Sequence, residues 1–191
     1  MEKDFIENKT FDTVDFKEQP LPLAEYENCI FIHCDFYNTD LSKFVFADCT
    51  FTDCNLSMAG LVKTALREVM FTGCKMLGLH FENCNEFGFA VGFENCILNH
   101  ASFYKTRCKN TRFTNVQLLE TDFTECDLST AVFSNCDLAG ATFENTILEK
   151  ADLTTAFNYS INPSVNKIKK ASFSLPAVTG LLDHLDIEIV N

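Results

Sequence analysis

Tryptophan is absent from the 191 residues, and glycine (seven) and proline (four) are scarce. A chain that turns often with this composition must build its turns into the repeat and not delegate them to glycine. No run approaches the ~18 apolar residues of a membrane span. No opening stretch combines basic residues with an apolar core, so no signal peptide is expected. A cytoplasmic protein with no membrane partner is expected. The nucleophile-elbow, phosphate-loop and H-E-x-x-H motifs are missing as well. The four histidines, His33, His80, His100 and His184, are scattered along the chain. Carboxylate pairs such as Glu120 with Asp122 arise on an acidic chain without catalytic purpose. No enzyme and no cofactor is expected.

What the chain has is phenylalanine, 20 residues of it, set to a beat. The stretch CDLSTAVFSNCDLAGATF, from Cys126 to Phe143, places Leu128, Phe133, Leu138 and Phe143 five residues apart. A helix repeats its apolar face every 3.6 residues and a strand every second residue. A period of five fits neither. The beat runs from Phe11 to Phe81 and again from Phe93 to Leu153. Its 28 members are 14 Phe, 11 Leu, Tyr26, Met76 and Cys108, with no charged residue. A second column lies two positions earlier, and 24 of its 28 members are Ala, Cys, Thr or Val. Units this short bury their apolar residues only by stacking on neighbouring turns. Phe113, Phe123, Phe133 and Phe143 are expected to form a core ladder, with Asn115 on an outward slot where truncation does little.

Ten cysteines raise the question of metal or disulfides. Nine of them share the small column, and Cys108 sits on the large one. None shows the C-x₂-C spacing of zinc sites. Cysteines stacked one coil apart would have Cβ atoms ~4.8 Å apart, wider than the ~3.8 Å of a disulfide. They are read as small apolar filler without metal.

The units CDLST, CDLAG, ADLTT, TDLSK and CNLSM resemble the pentapeptide-repeat motif A(D/N)LXX over residues 11–157. The resemblance implies an all-β solenoid, a right-handed quadrilateral β-helix with ~20 residues per coil. The 28 units then make seven coils and a rod roughly 34 Å long, preceded by a cap at residues 1–10. A filled rod offers mostly convex sides and little room for a pocket.

Three stretches depart from the beat. EQPLPLAE (18–25) reads as a bulged corner or a short loop. NEFGFAV (85–91) adds two residues, and the alternation of Phe87, Phe89 and Val91 suggests a bulge whose aromatics still face inward. Phe44 and Leu79 place large residues in the small column and imply locally widened coils. From Asn158 the beat stops. Asn162 and Pro163 read as a helix start. A second helix, capped near Ser174, carries Leu175, Val178, Leu181, Leu182 and Leu185 on one face. Ile187, Ile189 and Val190 read as a short strand. This tail (158–191) resembles the C-terminal dimerisation module of Qnr-type quinolone-resistance and microcin-immunity proteins. That implies a homodimer through Leu175, Val178, Leu181, Leu182, Leu185, Ile187 and Ile189.

Charge is the remaining signal. The formal net charge is −12, and residues 11–157 carry 21 acids against ten bases. Over ~34 Å that is about half the linear charge density of duplex DNA. Direct nucleic-acid binding is excluded and a basic protein surface is favoured. The resemblance to Qnr-type proteins implies a DNA mimic that binds a type II topoisomerase (DNA gyrase) and protects it from quinolones or toxins. Asp35, Asp53, Asp137 and Asp152 are the candidate acidic surface. The alternative is a generic interaction scaffold whose acidity keeps a rod soluble.

Overall fold

The computed structural model describes residues 4–185 and 187–190; residues 1–3 of the expected cap lie outside them. Two positions after nearly every inward-facing large residue, the backbone takes positive φ. Among the described residues this happens at 24 non-glycine positions and four glycines. Asn fills nine of the 24, as its short amide tolerates left-handed backbone best. These residues are the corners of the coil. Their N–H groups still bond to the next turn, as in His33 to the Thr52 carbonyl (3.0 Å) and Asn115 to the Ser134 carbonyl (2.8 Å).

The strands between corners are short: β1 (Asp4–Glu7), β2 (Thr10–Asp12), β3 (Ala24–Glu27), β4 (Ile30–Ile32), β5 (Val45–Ala47), β6 (Thr50–Thr52), β7 (Ala65–Arg67), β8 (Val69–Thr72), β9 (Val91–Glu94), β10 (Arg112–Thr114), β11 (Val132–Ser134), β12 (Asp152–Leu153) and β13 (Ser172–Phe173). All pairings are parallel and in register, so Phe31 lies on Phe51 and Phe113 on Phe133. One side of the rod is a nine-stranded sheet from β2 to β13, and its neighbour is a four-stranded sheet, β1-β3-β5-β7. Single bridges such as Asp15 to Asp35 and Ser102 to Asp122 join the other two sides.

Inside, Phe11, Phe31, Phe51, Phe71, Phe93, Phe113 and Phe133 form one column, with ring centroids 4.6–5.6 Å apart. Facing it, Phe81, Phe103, Phe123 and Phe143 stack at 4.4–5.3 Å. The two columns meet edge to face, Phe113 on Phe123 at 6.2 Å. All four residues of the expected core ladder are buried.

The small column has a chemical logic that size alone does not give. Cys54, Cys74, Cys96 and Cys136 point their thiols at the carbonyls of Phe31, Phe51, Phe71 and Phe113 on the preceding coil, at 3.3–3.4 Å. Thr64, Thr121 and Thr146 use the same spacing, their hydroxyls donating to Leu41, Leu98 and Phe123. Cys and Thr alternate here because both are small donors for the same buried acceptor. All ten cysteines are buried and free. Burial pushes the thiols of Cys49 and Cys84 up to about 12 and that of Cys136 to about 11.

The tail differs from expectation. No helix forms at Asn162. Its side chain accepts the Ser164 N–H in a turn, and the coil resumes. Lys167 bridges Ile147, and β13 pairs with β12. Asn166 takes the cysteine position, its amide donating to the Phe143 carbonyl at 2.8 Å. Ile168 and Phe173, partly buried against the core, restore the beat 15 and 20 residues after Leu153. Nine strands on one side enclose eight turns, not seven, and a length of roughly 38 Å. An open last edge would leave backbone groups unpaired, and residues 174–185 lie across it.

Only two short 3₁₀ turns, Val178–Leu181 and Asp183–Leu185, occur where a second helix was expected. Gly180 sits so close to the Tyr159 carbonyl that a Cβ would overlap it, and its own carbonyl accepts the Ile161 N–H at 2.9 Å. These contacts to the last coil replace helical hydrogen bonds. Ala177 and Leu181 pack inward, while Leu175, Leu185, Ile187 and Ile189 are exposed, so the expected apolar stripe is split. Residues 187–190 form no strand.

The segment 18–25 keeps the coil register: Leu21 is buried, Leu23 is exposed, and the buried Tyr26 donates its hydroxyl to the Pro22 carbonyl at 2.7 Å. Phe44 and Leu79 are buried in the small column, Phe44 stacking on Tyr26 and Phe46. The insertion turns outward. Phe89 and Val91 face the core, but Phe87 is 78% exposed beneath the Arg67 guanidinium. The Asn85 side chain accepts the Phe87 N–H at 2.9 Å, and Gly88 supplies a left-handed corner. These local turns consume the two extra residues without shifting the later register, so the sheet alternation expected for Phe87 never develops.

Phe113→Ala is expected to cost about 3–5 kcal/mol in urea unfolding, against almost nothing for the exposed Gln117→Ala. Asn115 is not the silent position expected, as its amide links Asn95 and Asn135 at 3.0 and 2.9 Å. Asn115→Ala should cost about 1 kcal/mol. The native protein should react slowly with a thiol reagent and expose all ten cysteines once denatured.

Candidate functional site

The candidate acids begin as structural residues. In a unit such as ADLTT, the Asp precedes the inward Leu and its carboxylate accepts the N–H two residues later. Asp35 does this for Tyr37 (2.7 Å), Asp137 for Ala139 (3.2 Å) and Asp152 for Thr154 (2.9 Å). Asn55 does the same for Ser57, which explains why the motif accepts Asp or Asn. Asp53 is different: it occupies a left-handed corner, its carboxylate lying over Gly73 and 3.8 Å from His33. His33 also approaches Asp12 at 3.4 Å, making an exposed Asp–His–Asp corner.

At some of the turn aspartates the local bonds favour the charged carboxylate. The Thr154 hydroxyl and N–H hold Asp152 below the ordinary carboxylate value, against a smaller opposing effect of burial. Ser42 does the same for Asp40. At Asp127 burial acts upward, but Ser129 and the Lys109 ammonium at 3.2 Å prevail and the value falls.

The four candidates do not form one patch. Asp35 and Asp137 share a side of the rod but stand five coils apart, about 24 Å. Asn55, Lys75, Ile97 and Gln117 lie between them. Asp53 lies near Asp35, and Asp152 on the side adjoining Asp137. The last coil, which the beat did not reveal, also carries Lys167, Lys169 and Lys170. Residues 4–173 hold 23 acids and 14 bases, a net charge of −9. Over ~38 Å that is roughly one charge per 4 Å, below half the DNA value.

Concave ground exists beside the insertion, where clefts of about 380 and 410 Å³ flank the outward turn. A larger, shallower hollow of about 690 Å³ lies between the last coil and the tail. Among the described residues no group of three or more His, Cys, Asp or Glu side chains has a geometry that could hold a metal ion, and no helix is long and apolar enough to cross a membrane.

A family model for the pentapeptide repeat region matches residues 24–86 and 89–157. The chain belongs to the pentapeptide-repeat family. The break in the match, at residues 87 and 88, falls on the tip of the insertion. No curated protein matches the chain in sequence. Among solved structures it is similar to three of QnrB1, a plasmid-mediated fluoroquinolone resistance protein. A trypsin-treated form superposes with a TM-score of 0.76 at 18% identity, over 98% of this chain and 92% of that one. A second trypsin-treated form gives 0.62 at 17% identity, covering 98% of each chain. Full-length QnrB1 gives 0.52 at 17% identity, over 96% of this chain and 100% of that one. At such identities the likeness shows the fold.

Asp152→Ala is expected to destabilise the protein by about 1 kcal/mol at pH 7. Because the folded-state value of Asp152 is depressed, its contribution is complete above the unfolded value of 3.8 and is lost as pH falls through the folded value. The gap between wild type and Asp152→Ala in urea midpoint should therefore narrow in strong acid, and Asp152→Asn, which keeps the turn acceptor without the charge, should fall between the two at pH 7.

Proposed function

We propose that this protein is a non-enzymatic, acidic binding protein that presents a DNA-like outline to the DNA-binding surface of a type II topoisomerase, with DNA gyrase as partner, and shields it from quinolones or toxins. One observation carries the reading. An excess of acids over bases is held on a rod with the fold of a fluoroquinolone resistance protein. Such a surface favours a basic groove and speeds encounter with it. The dilution of charge by Lys75 and by the basic last coil favours the second reading, an interaction scaffold with no topoisomerase role.

A homodimer joined through the tail belongs to the same proposal. Leu175, Leu185, Ile187 and Ile189 are the exposed apolar residues available to it, while Leu181 serves the cap. Val178 and Leu182, half-buried, border them.

Replacing Asp35, Asp53, Asp137 and Asp152 by Asn should keep the local turns and the dimer but weaken gyrase capture by an order of magnitude. Capture by the wild type should fall with added salt, as surface charges are screened within about 10 Å at 0.1 M. Leu185→Asp should yield a folded monomer in sedimentation, whereas Leu181→Asp should destabilise the last coil. A wild-type dimer with no gyrase affinity at low salt would hand the case to the scaffold.

A further inference from the structure

The insertion builds a site as well as a bulge. Where residues 86–89 turn outward, the side of the rod that carries Tyr26 and Leu66 loses one rung, and a cleft of about 380 Å³ opens toward the next coil. That volume lies within the range of small-molecule sites. Its floor is aromatic. Phe81 is buried, Phe89 meets it edge-on at 6.4 Å, and Tyr104 lines the far wall.

Glu82 and Glu86 stand on the wall of the inserted coil. Glu82 Oε1 is 2.9 Å from His80 Nδ1, but its other oxygen, Oε2, is buried with no hydrogen-bond partner. A buried carboxylate oxygen without a donor is costly, so it calls for a donor from water, an ion or a bound molecule. Two cations border the cleft as well: Lys105 is turned to Glu125 at 3.6 Å and to the Tyr104 ring at 4.7 Å, and the exposed Arg107 stands on the rim. The cleft thus combines an unmet acceptor, a second carboxylate and aromatic faces.

We propose that this cleft binds a small organic cation, a primary ammonium carried on a flat apolar body. The ammonium donates to Glu82 Oε2 and to Glu86, and the body lies against Phe81, Phe89 and Tyr104. Charge-assisted hydrogen bonds and cation–π attraction both favour a cation over a neutral or anionic molecule of the same shape.

The test uses the full chain and 2-phenylethylamine, with benzyl alcohol and phenylacetate as neutral and anionic counterparts. Amide NMR shifts should saturate with the amine and map to residues 81–89 and 104–107. Glu82→Gln should weaken binding roughly tenfold or more, with an unchanged β-sheet spectrum by circular dichroism. Should Glu82→Gln disturb the fold, Glu86→Gln on the exposed rim carries the same expectation. Absent or non-saturating shifts, equal binding of phenylacetate or benzyl alcohol, or undiminished affinity in the folded variant would overturn the proposal.

Discussion

A left-handed corner in every fifth residue is the constraint on which this structure rests. Such a corner is unfavourable for any residue with a Cβ, by roughly 1–2 kcal/mol. Only the ladder of bonds to neighbouring coils and the stacked rings beneath can hold 24 of them in place. The corner fixes where the large residue points, two positions earlier. That in turn fixes which carbonyl the Cys or Thr of the small column can reach. Side-chain identity and backbone geometry are thus set together, one unit at a time.

The same economy complicates the reading of charge. An Asp before the inward Leu caps its own turn, and an Asn would cap it as well. The choice of Asp is where the surface enters, since capping does not require the charge. Asp53, a corner residue without a capping role, is the plainest case of an acid whose charge faces outward for its own sake.

Much of this was legible in the sequence. The beat is visible because its 28 residues face one filled axis and tolerate no charge. The expected core ladder and coil register follow from that alone. The final coil escaped because Asn158 and Pro163 occupy two beats and Asn166 replaces the small apolar residue. Ile168 and Phe173 remained on phase, a signal too sparse to outweigh a stripe of leucines. Helix periodicity in 174–185 was real, but contacts of Gly180 and Leu181 with the last coil claimed the backbone and split the stripe. The direction in which two inserted residues turn is decided by Asn85 and Gly88 locally, and no period records it.

The four-stranded sheet ends at Arg67, and among the described residues strand pairing on that side does not resume across the insertion, though bridges return from Arg107 onward. The rod is therefore continuous on three walls and interrupted on the fourth. In a solenoid whose stability is a sum of nearest-neighbour interfaces, the weakest interface sets where cooperativity fails. The missing rung leaves the backbone around residue 88 with fewer ladder bonds than the three continuous walls, so hydrogen exchange there is expected to run ahead of the paired coils.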